Sequence, residues 1–398
     1  MNADNPALPA SAIPTLPLAK ERTGALPWYF FAVVFGSACI PLGALWDISW
    51  HSTIGRDTFW TPAHLAIHLG GTLPGLICGW LVLKSTFWPQ AGGQLPGIRL
   101  WGFRGPLGAW VTIWGAFVML LSAPFDNWWH NAYGLDVKIL SPPHTLLALG
   151  MYAVTVGALL LVLSWQNRLP AGQKSSASWL FLFAAGILVT MISIIITEYT
   201  FPNHQHTGSF YRVVCLMLPL ILVAAARASN LRWAATGASA TYMLVMLAMI
   251  WILPRFRAQP MLAPIYNPVD HMVPPAFPLL LIVPSIGIDL LMRRLGQRRG
   301  FWRDTGLACL LGLAFFVLLL AAQWPMAQFL LSPASRNAFF GGDMMWSYGE
   351  HIGKWRYQFW DLDSDSLTVK ISLIAIGLAM FQSRLALWFG NWLSTVKR

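Results

Sequence analysis

The stretch D-I-S-W-H-S-T-I-G-R-D-T-F-W-T-P-A-H-L-A-I-H, residues 47–68, is echoed at residues 126–144 by D-N-W-W-H-N-A-Y-G-L-D-V-K-I-L-S-P-P-H. Asp47, His51, Gly55, Asp57, Thr61-Pro62 and His64 are matched in type and nearly in spacing by Asp126, His130, Gly134, Asp136, Ser141-Pro142 and His144. Only 10% of this chain is charged, so a repeat built from carboxylates and imidazoles is hard to obtain by chance.

The rest of the composition says where these groups sit. The chain has 398 residues, of which 56% are hydrophobic, and it carries 22 Trp; ordinary soluble domains are about a quarter charged. The sequence therefore predicts an all-α, polytopic transmembrane helix bundle in a lipid bilayer. Runs of the ~20 apolar residues needed to span lie near 27–46, 62–84, 106–125, 142–164, 178–198, 210–227, 233–253, 275–292, 304–323 and 368–390, about ten helices. The expected organisation is a tail over 1–26, a four-helix unit over 27–165 carrying both Asp/His/His sets, further helices over 166–323, an outer loop over 324–367 and a last helix with its tail over 368–398.

An even number of spans puts both termini on one side. Assigning Lys20, Arg22, Lys84, Arg99, Arg104, Arg168, Lys174, Arg227, Arg232, the cluster Arg293, Arg294, Arg298, Arg299 and Arg303, and Arg384, Lys397 and Arg398 to that side gathers 17 of the 26 basic residues there. By the positive-inside rule both termini are cytoplasmic, and the N-terminal segment reads as an uncleaved tail rather than a signal peptide. All nine histidines then fall at or near the opposite face, which is where chemistry is expected. The net charge of +11 sets orientation, and with no nucleic-acid motif beside it, it implies no nucleic-acid partner. Cys39, Cys78, Cys215 and Cys309 each lie alone in an apolar run and read as core residues.

Asp47 and His51, four apart, share a face if the first helix reaches them. Gly55 turns the chain, Thr61 suits an N-cap and Pro62 the first helical position, so His64 opens the second helix facing back. The second copy places Asp126, His130 and His144 in the same way. Each set offers one oxygen and two nitrogens with positions left open, which suits copper, zinc or non-haem iron. Ionisable groups near hydrocarbon mark functional sites; the alternative is that these residues simply tie helix ends together.

The string W-H-S-T-I-G-R-D-T-F-W-T-P-A-H closely resembles the signature of the membrane-embedded C subunit of the particulate methane and ammonia monooxygenases. That family carries a carboxylate, a His four residues on and a His thirteen further, within W-H-x-T-x-x-R-D-T-x-x-T-P-x-H. Asp47, His51 and His64 have this spacing, and Trp50, Thr53, Arg56, Asp57, Thr58, Thr61 and Pro62 fit around them. The resemblance spans roughly residues 27–165 and implies one or two copper ions, dioxygen and a small apolar or ammonia-like substrate. It further implies other membrane or periplasmic subunits, the bacterial inner membrane, and metal sites near the periplasmic face. Asp47, His51 and His64 would be the catalytic ligands, and Asp126, His130 and His144 a second copper site, with Asp126 standing where the family has Asn. The expected function is the copper-binding subunit of an oxygen-activating monooxygenase. A periplasm-facing copper protein for storage, delivery or sensing is the alternative, and a purely structural subunit the third reading.

Other residues are weaker candidates. His68, one turn past His64, and Asp57 and Asp136, after the turn glycines, are candidates for a further metal ligand or for orienting the ligating imidazoles, although Arg56 is an alternative partner for Asp57. Glu198, His204 and His206 form either a third metal site or a polar loop cap. Asp270, His271, Asp343, Glu350 and His351 read as loop residues, Met243, Met246 and Met249 as packing, and most of the tryptophans as interface anchors.

Overall fold

The computed structural model describes residues 26–88, 97–134, 141–169, 175–229, 231–296, 298–351, 353, 355–359 and 365–397. The chain forms a bundle of helices: α1 (Trp28–Thr53), α2 (Pro62–Phe87), α3 (Leu107–Tyr133), α4 (Pro142–Gln166), α5 (Ser175–Ile195), the single turn α6 (Thr197–Thr200), α7 (Gly208–Ser229), α8 (Ala234–Ile252), α9 (Ile282–Leu295), α10 (Phe301–Leu330) and α11 (Val369–Leu393). Among the described residues, nine of these are long and apolar enough to cross a membrane. Beyond the helices lies a short hairpin, β1 (Ile98–Leu100) and β2 (Phe103–Gly105). Its tip uses positive φ at Trp101 and Gly102, and Thr86 on α2 accepts the Arg104 N–H at 2.8 Å.

The tenth expected span, near 275–292, is not a full helix. Pro264, Pro268, Pro274, Pro275 and Pro278 deny the backbone the donors a helix needs, so the chain stays non-helical until α9, whose 14 residues reach only about 21 Å, short of the ~30 Å hydrocarbon thickness. Non-helical chain precedes α9. That chain follows the end of α8 and is tied into the bundle where Leu279 N–H donates to Tyr242 on α8 at 3.1 Å and Leu280 N–H to Gln323 on α10 at 2.8 Å. From there α9 runs on until Arg227, at the far end of α7, donates to the Gly296 carbonyl. Non-helical backbone at this depth persists only where protein satisfies its polar groups, and Tyr242 and Gln323 do so here.

Helices α1 to α4 pack as a unit, with α2 against α3 and α1 against α4. Glycines set the closest approaches: a Cβ at Gly43 would lie 2.8 Å from the Ile67 amide nitrogen and 3.0 Å from the Ala63 carbonyl oxygen, and one at Gly150 2.9 Å from the Gly115 carbonyl oxygen. Elsewhere α5 packs on α8 and α7 on α11. At the far end of the bundle a buried network joins α7, α10 and α11: Arg227 donates to Asn391 at 2.6 Å and to Asp304 at 3.1 Å. Alternation of the helices sends the C-terminal ends of α1, α3, α5, α8 and α10 to one end of the bundle, which is the end that carries His51, His64, His204 and His206.

Candidate metal centre

Helix α1 runs two turns beyond the apolar stretch read from sequence, to Thr53, so Asp47 and His51 sit on one helical face. The helix then ends on Gly55, whose φ of 81° is open to glycine at little cost. The Trp50 indole N–H donates to the Arg56 carbonyl at 2.9 Å and pins the turn. Thr61 stands at the N-cap of α2 but does not cap it; its hydroxyl accepts the Thr58 N–H at 2.9 Å instead. The Thr58 carbonyl in turn accepts from Thr61 N–H at 3.0 Å and from His64 Nδ1 at 2.8 Å. Gly43, one turn before Asp47, lets α1 approach the first turn of α2 closely enough for Asp47 and His64 to meet.

Four side chains converge. His64 Nε2 is 3.0 Å from Asp47 Oδ1 and 3.4 Å from Asp57 Oδ2; His51 Nε2 is 3.3 Å from Asp57 Oδ2 and 3.9 Å from Asp47 Oδ2. One ligand atom from each of the four lies within 4.8 Å of all the others. Bonds of about 2.0–2.2 Å in a tetrahedral site separate neighbouring ligand atoms by about 3.3–3.6 Å, so two of these four distances fall in that range and the other two lie about 0.3 Å outside it.

The donor set suits a cation. A carbonyl only accepts, so His64 Nδ1 carries a proton, and in the neutral ring Nε2 is then a lone pair. That lone pair points at two carboxylates, which also only accept. Asp47 Oδ1 is buried and has no hydrogen-bond partner among the described residues, although His64 Nε2 is 3.0 Å away. An unpaired buried acceptor is costly, and a metal ion or an imidazolium relieves it. The negative end of the α1 dipole adds in the same direction.

No family model, curated protein or solved structure matches the chain. The assignment of the site therefore stands on its geometry and on the motif.

Of the roles the sequence leaves open for Asp57, the structure favours the further ligand over the partner of Arg56: it faces His51 and His64 directly and stands in the group that could hold a metal ion. The signal was present in the repeat, where Asp57 is matched by Asp136, but spacing from Asp47 alone does not show that the turn folds it back. His68 lies outside the group, its ring packed on Phe59 with centroids 5.2 Å apart.

In the second copy, Asp126 Oδ1 is 3.6 Å from His144 Nε2, and Ser141 does cap α4, accepting the His144 N–H at 3.5 Å. Gly134 has φ 85°, matching Gly55. His130 is on α3, four residues past Asp126; its side chain, and Asp136, lie outside the described residues. The expected third site from Glu198, His204 and His206 does not assemble among the described residues. Glu198 is exposed on α6, whereas His206 is 4% exposed with its ring 4.7 Å from that of Phe359.

The first site has a roof. Tyr348 N–H donates to Ser52 at 3.0 Å, Met261 N–H to Ile54 at 2.9 Å and Val273 N–H to the Thr53 hydroxyl at 2.7 Å. Tyr348 in turn accepts from Tyr266 and Asn267. Segments 256–281 and 341–350 thus hold the end of α1, with the Tyr348 hydroxyl seated against Gly55. His51 stays about half exposed, which keeps one side of the cluster open.

Proposed function

We propose that this chain is the membrane-embedded metal-binding subunit of an oxygen-activating monooxygenase, acting on a small apolar or ammonia-like substrate, with copper held by Asp47, His51, Asp57 and His64. The observation that carries the reading is the convergence of these four side chains onto one acceptor-only point, within a sequence that resembles the C subunit of the particulate methane and ammonia monooxygenases. Copper bound there supplies a centre at which dioxygen can be activated. The chain's own residues do the rest. The Thr58 carbonyl fixes the His64 tautomer and ring plane, as metal-ligating histidines require; Asp47 and Asp57 supply two negative charges that balance a divalent ion; and the Tyr348 roof limits water on one side.

The half-exposed His51 also favours a second reading, in which the same site exchanges copper with a carrier and turns nothing over. Metal content and oxygen-dependent product formation, measured on wild type and His51→Ala, separate the two. Loss of both in the variant supports the monooxygenase; metal that exchanges freely, with no oxygen consumption under any donor and substrate, supports the carrier; retention of metal and product in the variant refutes the site.

A further inference from the structure

The last turns of α1 have two working faces. Asp47 and His51 point to the metal cluster, whereas Ser49 and Ser52, on roughly the opposite side of the helix, line a cavity of about 50 Å³. That space holds roughly three or four water molecules. It is walled by α1, α5, α6, α8 and the extended chain 273–279 that replaces half of the tenth span. Non-helical backbone inside a bundle is tolerated where it lines such a cavity, and in transport proteins broken spans form binding sites at this depth.

The lining is divided between hydroxyls and apolar groups. The hydroxyls are those of Ser49, Ser52, Ser193, Thr197, Thr200 and Tyr242; the apolar groups include Met246, Phe277 and Met345. Three of the hydroxyls already donate to carbonyls of their own segment: Ser193 to Val189 at 3.0 Å, Thr197 to Ser193 at 3.1 Å and Thr200 to Thr197 at 3.1 Å. What they have left are lone pairs. Tyr242, on the wall, accepts from Leu279 N–H. Ser49 is 2% exposed, and its Oγ has no hydrogen-bond partner among the described residues. The cavity therefore offers the lone pairs of the three committed hydroxyls and a free O–H at Ser49, so a ligand that both donates and accepts satisfies it, and no charged side chain lines it.

From this division we infer that the cavity is a binding site for a small neutral molecule with a hydrogen-bond donor on a short apolar body, the class of the one- to three-carbon alcohols. A bare hydrocarbon leaves the Ser49 hydroxyl unpaired, and an ion lacks a counter-charge. The inference does not depend on the proposed function; if that reading holds, such an alcohol is what hydroxylation of a small hydrocarbon yields, and the cavity is a product site separated from the metal by one helix.

Ethanol and dimethyl ether have the same atoms, but only ethanol can donate, so the pair tests the assignment. Saturation-transfer NMR on the full chain in nanodiscs, with and without copper, measures both. The expected result is saturable ethanol binding at least tenfold tighter than dimethyl ether, weakened about fivefold in Ser49→Ala and abolished in the cavity-filling Ser49→Leu. Unchanged metal content serves as the check that both variants fold. Equal binding of the two isomers, binding indifferent to both substitutions, or no saturable ethanol binding in a folded wild type overturns the inference and leaves a water pocket. Ethanol binding in a chain that holds no metal leaves the inference standing and removes the monooxygenase.

Discussion

Gly55 and Gly134 occupy equivalent turns with nearly equal φ, 81° and 85°, yet their surroundings differ, and that difference measures the roof. An L-residue in the left-handed region costs about 1–2 kcal/mol. Nothing among the described residues lies within 4 Å of a Cβ placed at Gly134, so Gly134→Ala costs that amount alone. At Gly55 the same Cβ collides with the Tyr348 hydroxyl, which adds the about 1–3 kcal/mol typical of overpacking. Gly55→Ala thus costs about 2–5 kcal/mol. Tyr348→Ala clears the space, so in that background Gly55→Ala falls back to about 1–2 kcal/mol, a coupling of about 1–3 kcal/mol. The assay is unfolding in one detergent, run on the double-mutant cycle with Gly134→Ala as reference. Equal costs at the two glycines, or a coupling below about 0.5 kcal/mol, would mean that Tyr348 does not sit on the turn and that the first site has no roof.

Two further predictions concern the site and its cover. Asp57→Ala weakens metal binding by more than 100-fold in a chelator competition, because partners that only orient a ligand typically cost 10–100-fold; a loss under tenfold returns Asp57 to a supporting role. Asp365 accepts from the Ser209 hydroxyl and, at 2.6 Å, from the Ser209 N–H, and pairs with Arg212 at 3.2 Å; these hold its carboxyl below the usual range. A depressed pKa contributes stability that is fully present above the ordinary Asp value of about 3.9 and is lost as pH falls through the lower folded value. The Tm difference between wild type and Asp365→Asn is expected to be constant above about pH 5 and to shrink below pH 4; a difference that grows in acid contradicts the tether.

The helices were legible because hydrocarbon demands long apolar runs, and the pairing of Asp47, His51 and His64 was legible because helical spacing carries i and i+4 to one face. What sequence obscured had physical causes. Helix α1 outlasts its apolar run because Asp47 and His51 lie at its polar end, past the last residue that hydropathy counts. Asp57 joins the ligands only because Gly55 folds the turn back. The broken tenth span hid behind an apolar composition, although its prolines announced it. Glu198, His204 and His206 read in sequence as either a metal site or a loop cap, and among the described residues they form no three-ligand group, with His206 buried against Phe359. The Tyr348 roof is built from contacts hundreds of residues apart, for which no local pattern exists.

Metal binding by Asp47, His51, Asp57 and His64 is the property on which the proposed function rests. The most direct test is metal content by mass spectrometry on the chain purified from membranes, wild type beside the Asp47→Ala/His51→Ala variant. The account predicts stoichiometric copper in the wild type and a loss of about one ion per chain in the variant, with the fold intact. A wild type that binds no copper, zinc or iron when supplied with all three, or a variant that keeps its full complement, contradicts it.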